Sequence, residues 1–213
     1  MADIKLAVMS FDFWWLARFV DEEEVGSVSI SFATAMAAGG PSAAGLLAIR
    51  RWIQNEPCTA AQSYMSLPPS VKQAFGGWYK DFIWAFNLPG FQVFGEQVAS
   101  QLTEDNCCRF ISIRRCSPAA VLWQALGYER ASRLPGIYGN LFIPASEVAT
   151  ALRVVKETYA GLDLDQATAR AHAWIADSNS LEQTREVIEL LPVALTEAAQ
   201  RGKGLVVVGR PQI

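Results

Sequence analysis

Residues 134–160, LPGIYGNLFIPASEVATALRVVKETYA, hold a turn, a short strand and the clearest helix in the chain. Pro135-Gly136 and Gly139-Asn140 are turn formers, and the apolar run Leu141-Phe142-Ile143 has the length of a buried strand. Pro144 opens the helix, and Ser146 and Glu147 bring side-chain acceptors and negative charge to its first turn. Val148, Leu152, Val155 and Tyr159 recur at i, i+4, i+7 and i+11, so one stripe must be buried. Gly161 stops the helix because glycine accepts a left-handed backbone.

Units of both kinds continue on either side. Asp163 to Gln166 reads as a capping box with Asp in place of Ser or Thr, opening a helix to about Ala176. Leu181 to Gln200 is helical, with Ile188, Leu191 and Leu195 in register; Pro192 inside it predicts a kink or two shorter helices. Gly202-Lys203-Gly204 leads into a buried final strand, Leu205 to Val208. Upstream, Ser117-Pro118 opens a helix carrying Val121, Leu122 and Ala125, which Gly127 ends. Arg109 to Ile113 alternates as a strand, and Phe91 to Thr103 is helical after a turn at Asn87 to Gly90. Helices are predicted over Pro41–Gln54, Thr59–Ser66 and Ser70–Phe86, with Trp84 off the apolar face of the last.

Val28, Ile30 and Phe32 alternate with serines as a half-buried strand does, although the alanines that follow leave a helix open. Ser10 caps a predicted helix to about Val20 with Phe13, Leu16, Ala17 and Val20 inward. Phe11, Trp14 and Trp15 make it apolar nearly all round. Ile4 to Met9 reads as a first strand. The expectation is an α+β fold: one domain over 1–213 with a small mixed sheet, strands near both termini and mid-chain, and several covering helices. Residues 34–105 form a possible helical elaboration.

Composition narrows the function. Of 213 residues, 51% are hydrophobic and 18% charged, which suits a packed core and excludes a disordered chain. A net charge of −3 argues against non-specific nucleic-acid binding. The first residues lack a signal-peptide pattern, and Cys58, Cys107, Cys108 and Cys116 lack disulfide-framework spacing. Reduced thiols in a cytoplasmic protein follow from that. Val25 to Ile49 is free of charge, but its serines, Thr34 and the Gly39-Gly40-Pro41 break make it a poor membrane span.

Chemical motifs are sparse. His172 is the one histidine, set in an alanine-rich helix. With Cys107, Cys108 and Cys116 it matches no common zinc spacing, so neither metal nor cofactor is expected. Gly202-Lys203-Gly204 precedes a strand, whereas phosphate loops follow one. Glu182, Glu186 and Glu189 sit at i, i+4 and i+7 and read as a solvated helix face. Charge is nevertheless segregated: Arg109, Arg114, Arg115, Arg130 and Arg133 are interleaved with Phe110, Trp123 and Tyr128, while Glu157 to Glu197 is acidic.

Tyr138-Gly139, the run Pro144 to Val148 with Leu152, and Ala198-Ala199-Gln200-Arg201-Gly202-Lys203-Gly204 resemble the corresponding pieces of a group of small bacterial cytosolic proteins. These share a domain of unknown function, with a YG turn before a strand and a glycine-punctuated C-terminal strand. The resemblance spans the chain from about Leu134 onward and the first residues to about Val25; it implies an α+β fold, and no catalytic residue is carried over from it. Compact proteins of this look include immunity proteins that neutralise a toxin. A non-enzymatic binding protein is therefore expected, its partner a toxin domain, its contacts Glu22, Glu23, Glu24, Tyr128, Arg130, Arg133 and Tyr138. The alternatives are a histidine-independent enzyme acting on a nucleotide or ADP-ribose, and an RNA-associated accessory protein.

Overall fold

A computed structural model of the chain describes residues 12–38, 88–114, 117–175 and 180–212. The predicted strand Ile4–Met9, the three predicted helices between Pro41 and Phe86, Trp84 and Arg115 lie outside the described residues. At the centre is strand β1 (Asp12–Val20), where the sequence predicts a helix. The correction has a plain cause. A run that is apolar but for Arg18 has no clear period to separate a helix from a strand covered on both faces, and its aromatic side chains then favour the extended form. Phe13 through Val20 are all buried.

A short 3₁₀ turn, Glu22–Glu24, leads into α1 (Val25–Ala38). The strand expected from Val28, Ile30 and Phe32 is therefore not formed; the helical alternative holds. Val28, Phe32 and Ala35, at i, i+4 and i+7, make its inner stripe, and Ile30 points outward. Helix α2 (Pro89–Ser100) lies against α1. The two approach so closely at Gly90 that a Cβ there would collide with the Ala35 carbonyl.

Strand β2 (Cys107–Arg114) is followed by α3 (Pro118–Leu126) and the single turn α4 (Tyr128–Ala131). Strand β3 (Leu141–Ile143) feeds α5 (Ala145–Tyr159) as predicted, with Val148 and Val155 buried. Helices α6 (Leu164–Ile175) and α7 (Leu181–Arg201) precede β4 (Gly204–Gln212). Asp163 accepts from the Gln166 amide at 3.0 Å, and Ser180 and Gln183 form a reciprocal capping box at the start of α7. Despite Pro192, α7 is one helix of 21 residues.

Among the described residues the sheet order is β2-β1-β4-β3 and every pairing is antiparallel, so the α+β class is as expected while the described sheet is antiparallel rather than mixed. Register places Arg18, Val206 and Phe142 side by side on one face, and Ala17, Val207 and Leu141 on the other. Helices α1 and α2 cover the first face, where Phe32 meets Phe91, Phe94 and Phe142 with ring centroids 5.4, 5.7 and 6.4 Å away. Helices α3, α5 and α7 cover the second, and α6 packs on α3 and α7. The described residues share one hydrophobic core.

Candidate functional site

Two of the three predicted acidic contacts, Glu22 and Glu23, are exposed. Glu24 turns inward. One of its oxygens takes the Arg18 guanidinium at 2.8 Å and the other accepts the Asp21 amide at 3.1 Å. Arg18 is fully buried, and its Nε and Nη2 have no hydrogen-bond partner among the described residues. Asp21 pairs with Lys203 at the start of β4. This acidic turn is thus chiefly a fastening for the end of β1.

The arginine-aromatic loop is also largely structural. Arg130 donates from Nη1 to the carbonyls of Thr158 and Ala160, at 2.8 and 2.9 Å, closing the C-terminus of α5. Tyr138 is buried. Its ring lies 5.5 Å from that of Trp123, which also meets Tyr128 at 5.8 Å. Burial pushes the Tyr138 phenol above the ordinary tyrosine range, with Tyr128 adding to the shift. The backbone explains this placement. Ile137 and Asn140 exchange amide hydrogen bonds around Tyr138 (φ 50°) and Gly139 (φ 81°), a two-residue turn of the type that matches strand twist. Trp15 Nε1 donates to the Gly139 carbonyl at 2.9 Å, and the Asn140 side chain accepts from the Gly209 amide at 2.9 Å. Of Tyr128, Arg130, Arg133 and Tyr138, only Arg133 is exposed. The loop meets β1 at Trp15, whereas the acidic turn begins after Val20, so the two predicted patches do not converge at one point.

A different surface has the features of a recognition site. Among the described residues β2 is an edge strand, carrying Phe110 with 58% of its surface exposed. Ile111 and Ile113 point inward, opposite Trp15 and Phe13. Phe110 points the other way and rests on Trp14, ring centroids 5.8 Å apart. Beside it, between β2 and α7, runs a groove of about 290 Å³ lined by Arg109, Phe110, Ile111, Glu186, Glu189 and Val193 among others. Arg109 is held by Glu197 through a 2.5 Å ion pair and donates to the Cys108 carbonyl at 2.6 Å. Its charge is thereby matched, which leaves the groove acidic through Glu186 and Glu189. Arg185 reaches Glu189 at 3.3 Å but is shared with Asp165 at 2.8 Å. The Cys108 thiol contacts Glu197 at 3.6 Å and is pushed up to about 12, by burial first and then by the Glu197 carboxylate.

No family model, curated protein or solved structure matches the chain. The surface is therefore read from its own chemistry. His172 lies 3.4 Å from the Thr184 hydroxyl and links α6 to α7. Among the described residues no group of three His, Cys, Asp or Glu side chains is placed to hold a metal ion, and no helix is long and apolar enough to cross a membrane.

The sequence names Phe110 only as an aromatic interleaved with arginines, and Glu186 and Glu189 only as part of a solvated helix face; neither is placed among the expected contacts. An aromatic on the polar phase of an alternating strand is a legible signal, and Phe110 is one. The glutamates look like any solvated helical face until the sheet edge beneath them is known.

Proposed function

We propose that this protein is a non-enzymatic, cytoplasmic binding protein that neutralises a toxin domain by direct contact, with β2 and the adjoining flank of α7 as the contact surface. The observation that carries the binding reading is Phe110. It is a large aromatic left more than half exposed on what is an edge strand among the described residues, packed on a buried tryptophan and beside the Arg109–Glu197 ion pair. Aromatic anchors of that kind, ringed by polar groups, supply most of the energy at protein interfaces. That the partner is a toxin domain rests on the resemblance of Tyr138-Gly139, Pro144–Val148 and Ala198–Gly204 to immunity-type proteins.

The test is capture of the partner from the native cell by tagged protein at near-physiological salt, comparing wild type with Phe110→Asp and with Arg153→Ala on the exposed face of α5. A stoichiometric toxin-domain partner, lost with Phe110→Asp and kept with Arg153→Ala, supports the reading. The affinity loss for Phe110→Asp should be about thirtyfold or more. A partner lost instead with Glu22→Lys/Glu23→Lys or Arg133→Glu, and kept with Phe110→Asp, moves the interface to the loops. Release of a modified nucleotide by the purified protein would replace the reading with an enzymatic one.

A further inference from the structure

The edge that β2 forms among the described residues and the acidic side of α7 together specify what can dock. We infer that the docking segment is an extended, basic stretch of the partner that adds to β2 as a further strand, an inference that rests on the partner-binding reading above. Three observations lead to it. First, β2 is an eight-residue strand with one edge unpaired among the described residues, so its outward amides and carbonyls can accept another chain. Second, successive side chains of an added strand would alternate between the two faces of the sheet. On the inner face they would lie over the groove, towards Glu186 and Glu189; on the outer face they would lie beside Phe110. Third, Glu186 and Glu189 are three residues apart on α7, roughly 5–6 Å between Cβ atoms. Alternate residues of a strand are spaced by about 6.6 Å, so two basic side chains at i and i+2 can each reach one glutamate. With Arg109 bound to Glu197, and Arg185 divided between Glu189 and Asp165, the negative charge left in the groove selects Lys or Arg there and an apolar residue between them.

Synthetic peptides test this without the natural partner. The probe is an eight-residue Lys-Val alternating peptide, labelled for fluorescence anisotropy, beside a block peptide of the same composition (four Lys then four Val) and a Glu-Val alternating peptide. The expected result is binding of the first at least tenfold tighter than either control. It should weaken about threefold in Glu186→Gln/Glu189→Gln, at least tenfold in Glu186→Lys/Glu189→Lys, and further as salt rises. Hydrogen exchange should show new protection confined to β2 amides. Equal binding of the block peptide, indifference to the glutamate variants, or unprotected β2 amides would overturn strand addition. Those results, with a partner still lost in Phe110→Asp, remove strand addition and leave partner binding standing. Specific Lys-Val binding with a partner indifferent to Phe110→Asp supports strand addition and removes β2 as the interface for that partner.

Discussion

Tyr159 on α5 donates its phenolic hydrogen to the carbonyl of Ile188 on α7, at 2.6 Å. Ile188 is the residue four before Pro192, so its carbonyl has lost the amide donor that a helix would normally supply. A side chain from a neighbouring helix fills the gap, and α7 continues through the proline.

The first prediction follows directly. Tyr159→Phe should lower unfolding free energy by about 1–3 kcal/mol, the cost of an unmet buried carbonyl. In a Pro192→Ala background the alanine amide can serve Ile188, so the same change should cost less than about 1 kcal/mol. Urea unfolding of the four proteins gives the coupling. Equal losses in both backgrounds would mean that Tyr159 acts only by packing.

Arg18 and Glu24 make the second. A buried guanidinium with one carboxylate partner depends heavily on it. Glu24→Gln should destabilise the fold by about 2–4 kcal/mol, the lower end reflecting the partial exposure of Glu24. Arg18→Met/Glu24→Gln, which removes the charge along with its partner, should recover at least half of that loss by chemical denaturation. A double variant weaker than Glu24→Gln alone would show that the pair contributes net stability.

Much of this architecture was legible beforehand, where local signals agreed. Cap, stripe and stop coincide in Pro144 to Gly161, and α5 formed where they placed it. In β1 the only local signal was apolarity, which both secondary structures share, so the strand became evident only with β2 and β4 at its sides. Nothing near Arg18 marks it for burial, since its partner lies beyond the strand end. Tyr138 and Arg130 looked like recognition residues by type. They are instead fixed by a tight turn and by the end of α5, constraints set by contacts distant in sequence. The acidic face of α7 acquired its possible role only from the strand it crosses.

Gly139 supports a third prediction. Its φ of 81° and its contact with the Trp15 ring both exclude a side chain. Gly139→Ala should cost about 2–4 kcal/mol, from left-handed backbone strain plus displacement of the ring. Thermal unfolding should register it, and the near-ultraviolet circular dichroism of the tryptophans should change. Retention of the wild-type spectrum and midpoint would refute the geometry.

The cysteines give a fourth. In native protein at pH 8, exposed Cys107 should be alkylated by iodoacetamide, whereas buried Cys108 should react only on unfolding, as mass spectrometry of peptides can show. The Cys108 thiol rises from 9.0 to about 12 on folding. The folded chain therefore keeps a proton that the unfolded chain loses. This contribution is complete below pH 9 and disappears as pH rises towards 12. Burial, with Glu189 second, raises the Tyr159 phenol in the same sense. The urea midpoint should fall from pH 9 to 10.5, and less steeply in Cys108→Val.

The pairing of β1 with β4 bears on how the protein is made. Val20 sits opposite Gly204, and Trp15 opposite Gly209, so the central strand has one neighbour that the ribosome delivers long after it. Until that segment emerges, the run from Phe13 to Val20 has an open side, and the sheet cannot close. A nascent chain stalled between Val20 and Gly204 would leave this apolar segment without its β4 neighbour. Translation speed and chaperone supply, more than final stability, should therefore govern how much folded protein accumulates.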